Sequence, residues 1–242
     1  MKKYSNYLLN FLKIKQQLLL LSKKSIYNQL ITKNNFLDIG AGPGKPLLAL
    51  SPLFKSTLAI EPKQNYYDQL VKKGVNVIQS NFQDTLLKRK FDLVLCCHML
   101  YHVPIKEWPC FLEKLIHSIA ADGIAIIIIG ANRGKHAELC SSVNPNYQNS
   151  GPLKLYLDEK GCKYQTTQSY GNYTTDNFDD MYTICRFSVL EDALNHDQYS
   201  AMSKEEKLKL DSLIADYVTT LKNPFYNAYM LQIDLDFIII KK

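Results

Sequence analysis

The chain has 242 residues, a length that favours one domain or one domain with an insertion. Its formal net charge of +6 comes from lysines scattered in pairs, which is typical of a hydrated surface and disfavours a nucleic-acid partner. Its six cysteines include no C-x-x-C pair and no zinc-finger spacing, so the sequence predicts no metal site and a reducing compartment.

The first predicted element is an N-terminal helical segment over residues 1–32. Apolar and aromatic side chains recur at the i, i+3, i+4 spacing from Tyr4 to Leu12, and no proline or glycine interrupts residues 4–31. The apolar run Leu18–Leu21 is too short for a signal peptide or a membrane span. We therefore expect a cytoplasmic protein without membrane contact.

An apolar strand then ends in an acid, Asp38, and runs into the turn Gly40-Ala41-Gly42-Pro43-Gly44. A strand, a glycine turn and a helix in this order predict a nucleotide-binding site. The turn argues against a pyrophosphate, because Pro43 and Pro46 each lack an N–H group and Lys45 replaces the third glycine of G-x-G-x-x-G. A cationic ligand such as S-adenosylmethionine, which has an ammonium group, a sulfonium and no phosphate, suits the carboxylate of Asp38 better.

The next two predicted strands also lead to residues suited to such a ligand. The second ends at Glu61, about 20 residues after the turn, where an acid can bind ribose hydroxyls, and Pro62 stops that strand. The third, Val75–Gln79, leads to Asn81 and Phe82, an amide beside an aromatic ring. This pair suits the edge and the face of an adenine base.

The fourth predicted strand, Phe91–Cys97, is followed by His98, Tyr101 and His102, which are our candidate catalytic residues. They lie after the carboxyl end of the strand, where open α/β sheets bind their ligands. For His98, a place in an acceptor pocket and a structural hydrogen bond stay equally open, and for His102 a structural role is favoured. Tyr101 either packs over the ligand or fills the core.

The remaining elements predict an α/β sheet with a helical insertion. The fifth strand, Gly123–Ile129, is continuously apolar and is expected to be buried on both faces. After a strand over Lys163–Tyr173, residues 174–225 carry two helical patterns, the second opened by the capping box Ser203-Lys204-Glu205-Glu206. The final strand lies within residues 226–242. Strands separated by helices imply a mostly parallel sheet with right-handed crossovers.

In their order and spacing, these motifs resemble the class I S-adenosylmethionine-dependent methyltransferases over about residues 30–130. The resemblance rests on Asp38-x-Gly40-x-Gly42-x-Gly44, Glu61, Asn81-Phe82, and Phe91-Asp92-Leu93-Val94 followed by His98-x-x-Tyr101-His102-Val103. It implies one methyltransferase domain over residues 1–242 with a Rossmann-like fold. The expected sheet is mostly parallel and seven-stranded with an antiparallel last strand, and the helical insertion precedes that strand.

The resemblance also implies that S-adenosylmethionine is the cofactor. The implied cofactor-binding residues are Asp38, Gly40, Ala41, Gly42, Gly44, Glu61, Pro62, Asn81, Phe82, Cys96 and Cys97. Asp38 and the glycine turn would hold the methionine end. Glu61 would bind the ribose, and Asn81-Phe82 the adenine. These residues lie in a core of residues 33–173, and residues 174–225 are expected to form a lid or a wall of the acceptor site.

The sequence after the fourth strand limits the acceptor. Enzymes that methylate amino groups of DNA bases carry Asn/Asp-Pro-Pro-aromatic there, whereas this chain has Cys96-Cys97-His98-Met99. The His-x-x-Tyr-His-Val form and the helical block are similar to enzymes that methylate metabolites, the histamine N-methyltransferase branch among them. Downstream, Asn132 and Arg133 either orient an acceptor or belong to a hydrated loop.

We therefore expect a small-molecule acceptor, such as an amine. The alternatives are an RNA or protein methyltransferase, a non-catalytic module that binds S-adenosylmethionine, and a NAD-dependent enzyme. The sequence leaves the oligomeric state open.

Overall fold

The computed structural model describes residues 30–194 and 196–242, and the predicted N-terminal helix lies almost wholly outside them. The described chain divides into two compact units. The sheet unit comprises residues 30–129, 152–168 and 236–242, and the helical unit comprises the described residues of 130–151 and 169–235. In this part of the chain, no helix combines the length and the apolar character needed to cross a membrane.

Eight strands and eight α-helices occur in the described ranges. The strands are β1 (Asn35–Ile39), β2 (Ser56–Ile60), β3 (Val77–Ile78), β4 (Phe91–Cys97), β5 (Ile119–Gly130), β6 (Tyr164–Thr175), β7 (Lys222–Asn223) and β8 (Ala228–Lys241). The α-helices are α1 (Lys45–Leu50), α2 (Gln64–Lys72), α3 (Trp108–Ser118), α4 (Gly134–Val143), α5 (Ser150–Glu159), α6 (Phe178–Ser188), α7 (His196–Ala201) and α8 (Lys204–Thr220). Short 3-10 turns cover Ser51–Leu53, Leu100–His102 and Ile105–Glu107, and a π-helical turn, Val189–Ala193, follows α6.

The strands pair in the order β3-β2-β1-β4-β5-β8-β6, and β7 pairs with β8 off this path. β1 runs parallel to both β2 and β4, β2 to β3, and β4 to β5, whereas β7 and β8 are antiparallel. The chain leaves β1 for β2 and β3 and returns to β4 on the other side of β1. Ligands of open parallel sheets bind at such a reversal, beyond the carboxyl ends of the strands.

The predicted Rossmann-like fold is confirmed, with local differences in strand length. The seven strands in the order β3-β2-β1-β4-β5-β8-β6 correspond to the predicted sheet. The two-residue β7 is an additional short strand that pairs with β8. The third strand is only Val77–Ile78, shorter than the predicted Val75–Gln79, because it lies at an end of the sheet and pairs with β2 alone. The fifth strand is longer than predicted and begins at Ile119, directly after α3.

The core of the sheet unit is formed by the central strands and α3. All residues of β4 from Phe91 to Cys96 are buried, as expected for a parallel strand with a neighbour on each side. The helix α3 contributes one apolar face at the i, i+3, i+4, i+7 spacing, and each of its members is at most 2% exposed. These members are Trp108, Phe111, Leu112 and Leu115.

A buried carboxylate fixes the amino ends of the central strands. Asp92 of β4 accepts hydrogen bonds from the N–H groups of Asn34 and Asn35, both at 2.7 Å, and from the hydroxyl of Thr32. Burial alone would raise the pKa of Asp92, but these hydrogen bonds outweigh it and hold the pKa below its ordinary value. The start of β1 is thereby fixed against β4, at the end of the sheet opposite the ligand-binding edge.

The helical unit has its own apolar core, built mainly from α4, α6, α8 and the π-helical turn. Its buried apolar residues are Ala137, Leu139, Cys140, Tyr147, Tyr173, Met181, Ile184, Cys185, Val189, Ala193, Leu210, Ile214, Val218, Leu221 and Leu231. The capping box at the start of α8 has the reciprocal geometry that the sequence predicts. The N–H of Glu206 donates to the Ser203 hydroxyl at 3.2 Å, and the N–H of Ser203 donates to the Glu206 carboxylate at 2.7 Å.

One charged pair lies against this core. His136 of α4 is 5% exposed, and its Nε2 lies 3.0 Å from Oδ2 of Asp192 in the π-helical turn. Burial by itself would lower the pKa of His136, but the hydrogen bonds to Asp192 and Cys140 raise it to about 10. Because Asp192 and Cys140 both approach Nε2, the three side chains do not form a nucleophile–base–acid relay, which uses both ring nitrogens. The pair instead ties α4 to the turn after α6.

We expect Asp192→Asn to lower the free energy of unfolding by about 3 kcal/mol near neutral pH, because it leaves a buried imidazolium without its counter-charge. The stabilisation from a raised histidine pKa is complete below the unfolded value of 6.5 and is lost as the pH rises through about 10. The difference between variant and wild type should therefore shrink over this interval.

Urea denaturation at the two ends of that pH interval measures this difference. Glu205→Gln is the control, because it removes an ion pair with Lys209 in which both side chains are exposed, and such pairs contribute little. A loss of stability that is equal at both pH values would contradict a role for the charge.

Candidate active site

Asp38, near the carboxyl end of β1, is a buried carboxylate beside the glycine turn. It pairs in register with Ala59 and Leu95, is 1% exposed, and receives no hydrogen bond at Oδ2 from any residue in the described ranges. Burial, reinforced by the negative charge of Glu61, raises its pKa to about 8. A buried carboxylate oxygen without a donor destabilises the folded chain, so this position favours a cation that can approach it.

The glycine turn follows directly and is held by the end of β2. The N–H groups of Gly40 and Ala41 both donate to the carbonyl of Ile60, at 2.8 and 3.3 Å. Gly40 and Gly42 have φ values of +69° and +52°, which glycine adopts without strain. A Cβ at Gly40 would collide with the side chain of Met99, whereas no described atom lies within 4 Å of a Cβ at Gly42.

The rest of the turn packs against α2. A Cβ at Gly44 would lie 2.5 Å from Cδ2 of Leu70, and Ala41 is 6% exposed. Lys73, after the end of α2, donates from Nζ to the carbonyl of Pro43 at 2.8 Å. A Cβ at Gly40 or Gly44 would therefore force a neighbouring side chain to move, while a Cβ at Gly42 would enter open space.

Glu61, directly after β2, joins the second strand to the glycine turn. It is 4% exposed, and its Oε2 accepts the N–H of Gly42 at 2.7 Å while Oε1 accepts the N–H of Lys63 at 2.9 Å. Each carboxylate oxygen retains a lone pair, so the group can accept further donors such as two ribose hydroxyls. Pro62 is exposed beside it.

The loop after β3 separates the two predicted adenine contacts. Asn81 is exposed, whereas Phe82 is 3% exposed and belongs to the core. The Phe82 ring meets that of Phe111 edge-on at 5.0 Å between centroids, and Nζ of Lys114 lies 5.1 Å from its centroid. The structure places Phe82 as an anchor of the loop, and a contact between its ring and adenine stays a prediction.

Two cysteines line the end of β4. Cys96 is 1% exposed and pairs in register with Ile39, whereas Cys97 is half-buried. Burial, reinforced by Cys97 and Asp38, raises the pKa of Cys96 well above its ordinary value, so Cys96 stays a neutral thiol. Cys96 is therefore a small apolar wall beside the strand that carries Asp38.

His98, the first residue after β4, has a strained backbone. Its φ is +52°, a left-handed value that is uncommon for a residue with a Cβ, and its N–H donates to the carbonyl of Ile128 at 2.9 Å. The imidazole stacks on Tyr101 with 6.2 Å between ring centroids and 23° between planes. His102 lies at the end of the following 3-10 turn and is exposed. His98 and Tyr101 thus form one aromatic pair at the end of β4, and His102 stands outside it.

The sheet unit therefore contains Asp38, the glycine turn, Glu61, the loop after β3 and the His98–Tyr101 pair. Asn132 and Arg133 belong to the helical unit, where Nε of Arg133 lies 3.9 Å from Oδ1 of Asp234. Among residues 30–194 and 196–242, no group of three or more His, Cys, Asp or Glu side chains is arranged to hold a metal ion.

Three residues that the sequence did not single out also shape the site. Met99 covers Gly40, Lys114 supports the loop after β3, and Asp84 binds the side chain of Asn81. A methionine after a strand, or a lysine on a helix, carries no signal of such contacts. For Asp84, the only signal in the sequence is its spacing of three residues from Asn81, and this spacing is common in turns.

The reversal of the sheet between β1 and β4, with a buried acid and a glycine turn at that point, is the arrangement of a Rossmann-like methyltransferase. Residues 10–169, more than half of the chain, match the family described as "Methyltransferase domain", and the chain belongs to this family. It is an S-adenosylmethionine-dependent methyltransferase, and S-adenosylmethionine is its cofactor.

Solved structures with the same fold have low sequence identity to the chain. The YcgJ protein from Bacillus subtilis is 15% identical, with 93% of this chain and 97% of that chain covered and a TM-score of 0.58. A protein from Bacillus halodurans C-125 is 15% identical, with 92% and 98% covered and a TM-score of 0.61. The N-methyltransferase NodS from Bradyrhizobium japonicum WM9 is 11% identical, with 64% and 87% covered and a TM-score of 0.54. No curated protein matches the sequence significantly.

Proposed function

We propose that this methyltransferase methylates a small molecule, in particular an amine. The end of β4 supports the proposal, because Cys96-Cys97-His98-Met99 replaces the Asn/Asp-Pro-Pro-aromatic sequence of enzymes that methylate amino groups of DNA bases. NodS, which shares the fold, is itself described as an N-methyltransferase. The observation that carries the proposal is the strained His98 stacked on Tyr101. Backbone strain of this kind concentrates at functional sites.

The residues around the glycine turn fit the cofactor. Asp38 would accept the ammonium group of the methionine part, because its buried Oδ2 has no donor among the described residues. The open space at Gly42 would admit this part of the molecule, and the remaining lone pairs of Glu61 would accept the ribose hydroxyls. When bound, the cofactor supplies a methyl group activated by a sulfonium.

His98 and Tyr101 serve the acceptor in this proposal. The His98 imidazole takes the proton that an amine releases when it is methylated. Tyr101 restricts the orientation of the imidazole through ring stacking. A neutral amine is already a nucleophile, so most of the acceleration comes from its alignment with the methyl group and less from the base.

Within the enzymes that act on small molecules, we place the chain nearest the histamine N-methyltransferase branch. Two features support this placement. The helices α6 to α8 separate β6 from the last strands, and Ile60-Glu61-Pro62 ends β2. The placement predicts that a small amine with a positively charged or heterocyclic group is a better acceptor than a nucleic acid.

Calorimetry with S-adenosylhomocysteine tests the cofactor site, with NAD as the control ligand. We expect S-adenosylhomocysteine to bind with a dissociation constant in the micromolar range and NAD to show no measurable binding, because Pro43 and Pro46 lack N–H groups and Lys45 replaces the third glycine of a pyrophosphate-binding turn. Absence of binding at high micromolar S-adenosylhomocysteine would contradict the placement of the site.

Transfer of labelled methyl groups tests the acceptor. Incubation with pools of small amines, bulk RNA and unfolded protein, each at two salt concentrations, should label the amine pool without a strong salt effect. Labelling confined to RNA, with a steep loss at high salt, would instead identify an RNA methyltransferase.

A further inference from the structure

The loop after β3 carries an amide whose orientation is fixed by a neighbouring carboxylate. Nδ2 of Asn81 lies 3.1 Å from Oδ2 of Asp84. An ionised carboxylate only accepts hydrogen bonds, so the Asn81 side chain must turn its NH2 group toward Asp84. Its carbonyl oxygen, Oδ1, is then the part of the amide left for another donor.

The backbone of this loop is held from two sides. The carbonyl of Asn81 accepts the N–H of Asp84 at 3.2 Å and the hydroxyl of Thr85 at 2.8 Å. From α3, Nζ of Lys114 donates to the carbonyls of Gln83 and Thr85, both at 2.7 Å. A loop held in this way fixes the backbone positions of Asn81 and Asp84 relative to each other. It also occupies the main-chain oxygen of Asn81, so Oδ1 of the side chain is the acceptor that Asn81 offers to a ligand.

The loop adjoins the residue to which we assign the ribose. The N–H of Glu61 donates to the carbonyl of Ile78, the last residue of β3, at 3.1 Å. Asn81 follows Ile78 by three positions in the chain. A ribose held at Glu61 therefore places its attached base next to the loop.

We propose that Asp84 is a positioning residue that presents Oδ1 of Asn81 to the 6-amino group of the cofactor's adenine. This inference rests on the proposed cofactor site. A 6-amino group donates to Oδ1, whereas the 6-oxo group of a deaminated purine is an acceptor and is repelled by it. Without Asp84, the amide can turn over and offer its NH2 group to the oxo group. Asp84 thus makes the loop selective for a 6-amino purine.

Calorimetry with S-adenosylhomocysteine and S-inosylhomocysteine tests this selectivity. We expect the wild type to bind the first about tenfold more tightly or better, because a site built to accept a donor disfavours the analogue that lacks it. Asp84→Ala should reduce the ratio of the two dissociation constants to about twofold, mainly by improving the binding of S-inosylhomocysteine. In an Asn81→Asp background, a carboxylate accepts in either orientation, so removal of Asp84 should leave the ratio high.

The matched control is Asp68→Ala. Asp68 is also an exposed carboxylate that accepts from a side-chain amide, Nε2 of Gln64 at 2.8 Å. Its removal should leave the ratio unchanged, and thermal melting checks that each variant is folded. Equal affinities of the wild type for the two compounds, or an unchanged ratio in Asp84→Ala, would overturn the inference and leave the cofactor site standing. If the wild type bound neither compound, both this inference and the proposed cofactor site would be overturned.

Discussion

Asp38→Asn is expected to weaken the binding of S-adenosylhomocysteine by about 100-fold or more. The amide keeps the size of the side chain but removes the charge that would pair with the ammonium group of the ligand. Loss of one partner of a buried, hydrogen-bonded charge pair at an interface costs about 2–5 kcal/mol, which corresponds to a factor of this order. Calorimetry on the purified variant measures the change.

The same substitution should stabilise the protein without ligand. Because the pKa of Asp38 is raised from 3.8 to about 8, the folded state holds this proton more tightly than the unfolded state does. Its contribution to stability therefore falls as the pH rises from about 4 to about 8. Asparagine has no proton to lose, so at about pH 8 the variant should have a free energy of unfolding about 1–2 kcal/mol higher.

The affinity of the wild type should also depend on pH. The ion pair needs Asp38 ionised, so below about pH 8 the carboxylic acid must release its proton when the ligand binds. Affinity should rise as the pH increases toward this value, by at most about tenfold per unit, while Asp38→Asn should lack this dependence.

Asp92→Asn is the matched control for these measurements, because it changes a buried carboxylate of the same unit that already has its donors. It should lose stability and keep its affinity for the ligand. If Asp38→Asn behaved in the same way as Asp92→Asn, the carboxylate of Asp38 would be structural and the assigned ammonium site would be wrong.

Gly42→Val is expected to abolish detectable binding of S-adenosylhomocysteine while the protein stays folded. Its Cβ would enter space that no described atom occupies, so the native packing remains possible. The side chain would then fill the region to which we assign the methionine part of the cofactor. The substitution also strains a backbone with φ of +52°, which costs about 1–2 kcal/mol of stability.

Gly74 provides a matched control for this strain. It has φ of +73°, and a Cβ there also meets nothing within 4 Å, but it follows α2 and is not part of the glycine turn. Gly74→Val should lower the melting temperature to a similar extent and leave the affinity unchanged. Equal loss of affinity in the two variants would show that strain, and not obstruction, explains the effect at Gly42.

The acids of the site could be predicted from the sequence because each lies at, or directly after, the end of an apolar strand. Asp38 and Glu61 mark the ends of β1 and β2, and the carboxyl ends of parallel strands meet at one edge of a sheet. The glycine turn could be placed for the same reason. The hydrogen bond that joins Glu61 to Gly42 could not, because it depends on how closely two neighbouring strands bring their following residues together.

Phe82 and His98 mark where sequence reasoning stops. An aromatic ring beside an amide suggests a base-stacking partner, yet the Phe82 ring is buried against Phe111 of α3. The contact between this loop and α3 arises from tertiary packing, so the local sequence does not predict it. The left-handed backbone of His98 has no sequence signal, because histidine adopts it only occasionally.

The helical patterns between β6 and the last strands are confirmed as α6 and α8, since their apolar spacing and the capping box at Ser203 are local signals. The lid assigned to residues 174–225 depends on more than local signals and stays a prediction. The cytoplasmic location and the boundaries of a single domain also stay predictions.

The hydrogen bond from Gly42 to Glu61 joins the residue to which we assign the methionine part of the cofactor to the residue to which we assign its ribose. A fragment such as methionine or adenosine would engage one end and gain nothing from the alignment of the other. The intact molecule occupies both ends at once, so its second contact forms at a high effective concentration. Free nucleosides and amino acids, even when abundant, should therefore compete poorly with the cofactor.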